Sequence, residues 1–314
     1  MSEALNANPD CLRLRLPATS ANLGAGFDTA AIAFDFYLEI EAKPAAEFSI
    51  AVTGRNREQC SRLENNLILG IYRDLLERNG RPVIPLAIQM VNEIPLGMGC
   101  GSSAAGRLAA IALAVHFGRL DWNSERILEE ATALEGHPDN AAACWLGGFV
   151  AAAREDRRVK VARVAPPAEW RAILVLPADP LPTSQARAML PDCYSRADVV
   201  ANIQSVSLLG LAFAQARGDL LRVAMQDRIH QPYRASVCTL LPRLLPLAGE
   251  HGILGAALSG AGPSVLVIVD SEQSVPVATA AVRATVAGLC EPELKICRFE
   301  PVGASQSFEA IRGF

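Results

Sequence analysis

Three alternating glycines followed by two serines, in Pro95-Leu96-Gly97-Met98-Gly99-Cys100-Gly101-Ser102-Ser103-Ala104-Ala105, form the most chemically suggestive run of this sequence. Glycine lets a backbone approach an anion with no Cβ in the way. If the alanine-rich run that follows is a helix, its first N–H groups are free and its dipole adds about half a positive charge at that end. Such a turn can cradle phosphate, with Ser102 or Ser103 able to cap the helix or to give a hydroxyl to phosphate oxygens. No lysine stands here, so a Walker A loop is excluded. The serines, and the several strands expected before the loop, also set it apart from a dinucleotide-binding GxGxxG turn. A plain serine-capped glycine turn is the competing reading.

Other segments carry polar chemistry of their own. In Pro17-Ala18-Thr19-Ser20-Ala21-Asn22-Leu23-Gly24-Ala25-Gly26-Phe27-Asp28, Asn22 offers a donor and an acceptor and Asp28 a carboxylate. Gly24 and Gly26 allow the chain to fold sharply enough to aim both at one point. Ser259-Gly260-Ala261-Gly262-Pro263-Ser264 reads as a glycine turn between two apolar runs. Glu135-Gly136-His137-Pro138-Asp139-Asn140 closes a predicted helix. A carboxylate beside a phosphate loop is a natural ligand for a hard cation, which favours Glu135; Glu129, one helical stretch earlier, reads as a solvated face. Arg187, at the end of Thr183-Ser184-Gln185-Ala186-Arg187, and Arg234, at the end of His230-Gln231-Pro232-Tyr233-Arg234, could each grip a carboxylate in bidentate fashion. Taken alone, either arginine is a surface charge on a helix.

In order, the three glycine segments resemble the three signatures of the GHMP kinases, and the wording of the first is similar to that of the homoserine kinases within that family. The resemblance spans Pro17 to Ser264, nearly the whole chain, and departs from the usual second signature only in placing Cys100 where leucine is common. That exchange keeps an apolar side chain and alters packing more than chemistry. The resemblance implies an α+β, two-domain GHMP kinase fold: a ribosomal-protein-S5-like nucleotide-binding domain over 1–160 and a ferredoxin-like α/β domain over 161–314. It implies ATP and Mg2+ as cofactors and L-homoserine as the substrate phosphorylated on its hydroxyl. The implied nucleotide residues are Asn66, Pro95, Gly97, Met98, Gly99, Cys100, Gly101, Ser102 and Ser103, with the metal on Ser102 and Glu135. Asn22, Asp28, His137, Asn140, Thr183, Arg187, Arg234 and Gly260 are implied for the substrate. Asn140, Glu135 and Ser102 would serve catalysis. A zwitterion needs a cation for its carboxylate and an anion for its ammonium, which assigns the two arginines to one end and Asp28 with Asn22 to the other. Some relatives use an aspartate base, whereas homoserine kinases are thought to carry asparagine there. Asn140 agrees with that, and the adjacent Asp139 stays open as a base. Kinases acting on mevalonate, shikimate or a sugar, and a catalytically silent ligand sensor, are the neighbouring readings.

These residues need elements to hold them. Leu12, Leu14 and Leu16 alternate with arginines, predicting a half-buried strand that Pro17 ends. Strands are expected over 34–42, 48–53, 86–91, 172–176, 254–259 and 265–269. Helices are expected over 67–76, 103–117, 124–134, 201–217 and 275–287. Strands not separated one by one by helices argue for α+β, with a softer Arg-, Lys- and Pro-containing boundary near 154–170. The uncharged run from His251 to Val269 approaches membrane-span length. Gly260, Gly262 and Pro263 interrupt it, however, so strand, turn, strand is expected.

Composition narrows the partners. Hydrophobic residues make up 51% of the 314, enough for a core without staples. Lys and Arg number 29 against 33 Asp and Glu, with no basic run to track a nucleic acid or an anionic membrane, so neither is expected as a partner. The eight cysteines lack CxxC or zinc-ligand spacing and read as small buried hydrophobes in a reducing compartment. The first ten residues hold Glu3 and Asp10 and no apolar stretch, so no secretory leader and a cytoplasmic location are expected. Family habit suggests a homodimer.

Overall fold

The computed structural model of the chain describes residues 11–312; the first ten, read above as lacking a leader, lie outside them. Strand β1 (Leu12–Asn22) buries Leu12, Leu14 and Leu16 and turns Arg13 and Arg15 outward, opposite Glu41 and Glu39 of β2 (Gly26–Pro44). The sequence predicts that Pro17 ends this strand. Instead the strand runs on to Asn22, because a register shift between Pro17 and Ala18 absorbs the N–H that proline lacks. After β2 come β3 (Ser49–Gly54), the short α1 (Arg57–Cys60), α2 (Leu67–Arg78) and β4 (Leu86–Asn92). Next follow α3 (Ser102–Phe117), α4 (Ser124–Glu135), α5 (Asp139–Leu146), β5 (Phe149–Glu155) and β6 (Arg158–Val164). The first sheet has the order β3-β4-β2-β5-β6, with β1 also on β2; only β3 and β4 run parallel.

The second sheet, β10-β7-β9-β8, is antiparallel throughout. It is built from β7 (Arg171–Leu176), β8 (Ile253–Leu258), β9 (Val265–Val269) and β10 (Glu293–Cys297). Between β7 and β8 lie α6 (Thr183–Arg187), α7 (Arg196–Ala214), α8 (Leu221–Ala224), α9 (Gln231–Arg234) and α10 (Leu241–Leu244). Helix α11 (Val275–Val286) precedes β10 and α12 (Ala304–Arg312) follows it. The architecture is the expected α+β, with two sheets and their helices. The run His251 to Val269 is the β8–β9 hairpin.

Two features differ from the sequence division at 160/161. That boundary falls inside β6, whose exposed Arg158, Lys160 and Arg163 look like a linker but belong to a half-buried edge strand. Helix α12 returns to pack on β1 and α5 of the first sheet. The cysteines also differ in part: Cys100, Cys144, Cys238 and Cys297 are buried, whereas Cys193 and Cys290 are exposed.

Helix α3 is buried nearly all round, as a helix without a polar face must be. Gly106 lets α2 approach it, since a Cβ there would stand 3.1 Å from Leu67 Cδ2. Among the described residues one helix, α7, is long and apolar enough to cross a membrane by length and composition; 28% of its window is buried within the protein. The buried end of α7 joins the two sheets. Phe213 stacks on Phe149 of β5 at 4.3 Å between ring centroids and meets Trp170 and Phe299 edge-on. Phe213→Ala should therefore cost about 3–5 kcal/mol, read as a lowered midpoint in urea unfolding, because the cavity would open between both sheets.

Candidate active site

The cradle Gly97 to Gly101 alternates left-handed glycines, with φ of 70°, 72° and 73°, with ordinary residues, the backbone pattern of a concave, anion-binding row of amides. Protein contacts require these glycines as much as any ligand does. A Cβ on Gly99 would lie 2.0 Å from the Ser259 carbonyl oxygen, and one on Gly101 1.9 Å from Thr19 Oγ1. The three signature segments are thus pressed together, and hydrogen bonds fasten them. Ser259 Oγ donates to Gly99 O (2.7 Å), Thr19 N to Cys100 O (3.1 Å) and Gly260 N to Ala21 O (3.1 Å). Helix α3 starts from Gly101 with no side-chain cap, so neither serine caps it and its leading amides are left for a ligand.

Against this cradle lies a cavity of about 120 Å³ that gathers Asn22, Asp28, Glu135, His137, Asn140, Thr183, Arg187, Arg234 and Gly260 from across the chain. Asn22 is less free than its sequence role suggests: its Nδ2 donates to Gly260 O (2.8 Å) and its Oδ1 accepts from Asp28 N (3.0 Å). It fixes the first loop to the third. Asn140 Oδ1 accepts from Thr19 Oγ1 at 2.7 Å. Asp139, 1% exposed, accepts from Asn140 N (2.6 Å) and pairs with His137 Nδ1 (2.6 Å). Burial alone would lower the His137 pKa, but the Asp139 hydrogen bond and charge, with Asp28 and Glu135 beyond, raise it above the ordinary imidazole value. Donor atoms of Asp28, His137 and Asp139 lie within 4.8 Å of one another. Their charge is already met by the imidazole and by Arg187, whose guanidinium pairs bidentately with Asp28, one bond being 3.1 Å.

Arg234 is different. It is 1% exposed, faces the cavity, and donates to Ala186 O (3.2 Å) and to His230 Nδ1 (3.1 Å). His230 can accept there because its Nε2 donates to Gly24 O (2.9 Å), which keeps Nδ1 unprotonated. Burial, with Arg187 adding repulsion, pushes the Arg234 pKa down. The Phe27 ring lies beneath both guanidinium groups, at 5.5 Å from Arg187 and 5.4 Å from Arg234. Asp227 accepts from the N–H groups of Ile229, His230 and Gln231, which sets the start of α9.

On the other side of Ser102 and Ser103 opens a second cavity of about 520 Å³, walled by Leu38, Leu67, Ile68, Met90, Ile94 and Leu96. Asn66 lines it with its side chain engaged, accepting from Ile68 N and Leu69 N and donating to Cys60 O and Arg62 O. Cys100 lines the smaller cavity, its thiol pushed up to about 12 by burial, while Pro95 and Met98 line neither. Ser103 Oγ donates to the Glu135 carboxylate (3.4 Å), and Arg107 contacts both groups. Sequence reasoning missed Thr19, Phe27, Arg107, Asp227 and His230. Thr19, Phe27 and His230 stood inside recognised segments, and Asp227 is an aspartate shortly before a helix start, where a carboxylate readily accepts nearby backbone N–H groups.

The model described as GHMP kinases N terminal domain matches residues 66–148, and that described as GHMP kinases C terminal matches 211–288. A homoserine kinase of Solibacter usitatus is 40% identical over 267 residues, 85% of this chain and 88% of its own length. One from Deinococcus radiodurans is 38% identical over 261 residues, 83% and 85% of the two chains. The chain belongs to the homoserine kinase family of GHMP kinases. The solved homoserine kinase of Cytophaga hutchinsonii superposes with a TM-score of 0.79 at 26% identity, covering 94% of this chain and 96% of that one. A mevalonate kinase of L. major shares the fold, with a TM-score of 0.70 at 13% identity, covering 92% and 96%. The first signature segment lies outside both matched ranges, yet it forms the wall of the smaller cavity opposite α5.

Two outcomes test this geometry. Gly99→Ala should lower the melting temperature and weaken binding of an ATP analogue together, because the collision is with the Ser259 backbone. Gly70→Ala, in an open stretch of α2, should instead be neutral or stabilising by about 0.5–1 kcal/mol. The second concerns His230, whose pKa burial pushes below the usual imidazole value. The unfolded chain then takes up a proton the folded chain refuses. Stability should be full above about pH 6.5 and fall as the pH drops below it, toward the lower folded value. In urea unfolding across pH, His230→Gln should be less stable at pH 8 yet lose less between pH 8 and 5.

Proposed function

We propose that this chain transfers the terminal phosphoryl group of ATP to the hydroxyl of L-homoserine, giving O-phospho-L-homoserine. The observation that carries the substrate is Arg234, a buried guanidinium facing the small cavity whose hydrogen bonds go to neutral acceptors. A buried guanidinium hydrogen-bonded only to neutral groups is costly, and a ligand carboxylate would give it a direct anionic partner. Arg187 and Asp28 pair with each other here, so the substrate would exchange into that pair, its carboxylate drawing on Arg187 and its ammonium on Asp28. A cavity of about 120 Å³ suits a small amino acid.

The substrate hydroxyl would then point to Asn140 and the cradle, and the nucleotide phosphates would lie on the uncapped amides of α3, with the base against the apolar wall of the 520 Å³ cavity. Asp139 already pairs with His137 and accepts from Asn140 N, which argues against it as the base. Phosphoryl transfer asks mainly for alignment and charge stabilisation, so Asn140 need only orient the hydroxyl, its proton passing to phosphate or solvent. Glu135 and the hydroxyls of Ser102 and Ser103 offer the oxygen donors that Mg2+ prefers and so fit it; when bound, the ion neutralises charge on the phosphates.

Arg234→Ala should leave ATP affinity unchanged and raise KM for homoserine by a factor corresponding to about 2–5 kcal/mol, as for one partner lost from a desolvated charge pair. An equal loss toward both substrates would count against the clamp. ADP release assayed over homoserine, serine, mevalonate, shikimate and galactose tests the acceptor; homoserine should be preferred, and turnover of mevalonate or a sugar above homoserine would overturn the assignment.

A further inference from the structure

Helix α3 carries a cation where its own dipole disfavours one. Arg107 lies four residues beyond Ser103, and helical side chains lean toward the N-terminus, so its guanidinium reaches back over the positive end of the helix. There Nη1 meets the Glu135 carboxylate and the Ser103 hydroxyl. Both charges are largely withdrawn from water, with side chains 21% and 11% exposed for Arg107 and Glu135. The carboxylate is therefore what holds the cation against the dipole. Glu135 is also the residue proposed above for Mg2+, and the two cations cannot share it without strong repulsion.

We propose that Arg107 is a resident counter-ion that exchanges with Mg2+: it neutralises Glu135 in the nucleotide-free site and passes to the nucleotide phosphates when the metal takes the carboxylate. The inference rests on the ATP reading of this site. Ser103 borders both cavities and stands at the mouth of the cradle, so a guanidinium already touching its hydroxyl needs only a rotamer change to reach a phosphate lying on the α3 amides. Guanidinium matches phosphate oxygens in bidentate geometry. Two consequences have opposite sign. ATP without metal retains affinity because Arg107 supplies positive charge, and Mg2+ binds less tightly than it otherwise would because it must displace Arg107 from Glu135.

The test is calorimetric titration of the full chain with ATP in EDTA, followed by Mg2+ titration of the ATP-loaded protein, for the wild type and Arg107→Met. The substitution should weaken metal-free ATP binding by about tenfold or more, the worth of a hydrogen bond to a charged group, while lowering the Mg2+ concentration for half-saturation. Arg107→Lys should restore much of the metal-free affinity. Arg107→Gln repeats the measurement if the methionine variant does not fold. Metal-free ATP affinity unchanged in a folded variant, or ATP and Mg2+ binding weakened together, would overturn the exchange. A wild type that binds ATP neither with nor without Mg2+ would overturn the nucleotide reading itself.

Discussion

Everything chemical in this chain depends on backbone contacts that close three glycine loops onto one another. Gly99 lies under the Ser259 carbonyl, Gly101 against Thr19, and Gly260 reaches Ala21, so segments more than two hundred residues apart share one small volume. Bonds within each loop shape it, as between Asp28 N and Asn22 Oδ1, but bonds between loops close the cradle, which makes it a product of the tertiary fold. A left-handed backbone at alternate positions favours glycine, and the neighbouring loops leave no room for a Cβ at Gly99 or Gly101. The amides of α3 are thereby held uncapped at a place the chain itself cannot fill.

Charge is arranged around that cradle in matched pairs. Asp28 is matched by Arg187, Asp139 by His137 and Glu135 by Arg107, so each carboxylate of the cavity has a partner. Arg234 breaks the pattern. Its neutral acceptors are themselves supported, His230 by the Gly24 carbonyl and α9 by Asp227, so the guanidinium is held in place by neutral groups, with Asp28 and Asp227 acting on it only through space. A fold selected for stability alone would not bury a cation in this way, and such local sacrifices are expected where a ligand completes the structure.

Much of this was legible in the residues. The strand period of Leu12 to Leu16, the apolar helix after Ser103 and the β8–β9 hairpin follow from patterning, because periodicity and turn residues act locally. The gathering of Asp28, Glu135, His137, Asn140, Arg187 and Arg234 was reached only through resemblance, since no local rule brings α5, α6 and α9 together. What stayed hidden did so for physical reasons. Pro17 sits in a strand because a register shift accommodates it, β6 is a charged edge, and α12 packs on a sheet whose strands ended well over a hundred residues earlier. Asn22 reads as a ligand group because an amide beside a glycine loop can serve either purpose, and Asn66 only because the resemblance implies it. Only the partners of their oxygens and nitrogens reveal that they brace the walls.

The bracing explains why Asp139 and Asn140, adjacent in sequence, are suited to different tasks. Asp139 turns its carboxylate inward to the His137 ring and to the Asn140 N–H, a buried arrangement that fixes the start of α5. Both residues line the cavity, but the Asn140 oxygen is held by Thr19 and thus by the same loop that packs against Gly101. A carboxylate at that position would need the Thr19 hydroxyl, the Arg187 charge and the cavity's other acids all to be reconciled, whereas an amide adds no charge beside an anionic phosphate. Under the proposed reading, a neutral Asn140 adds no repulsion toward the phosphates, and alignment rather than proton abstraction is what it would contribute.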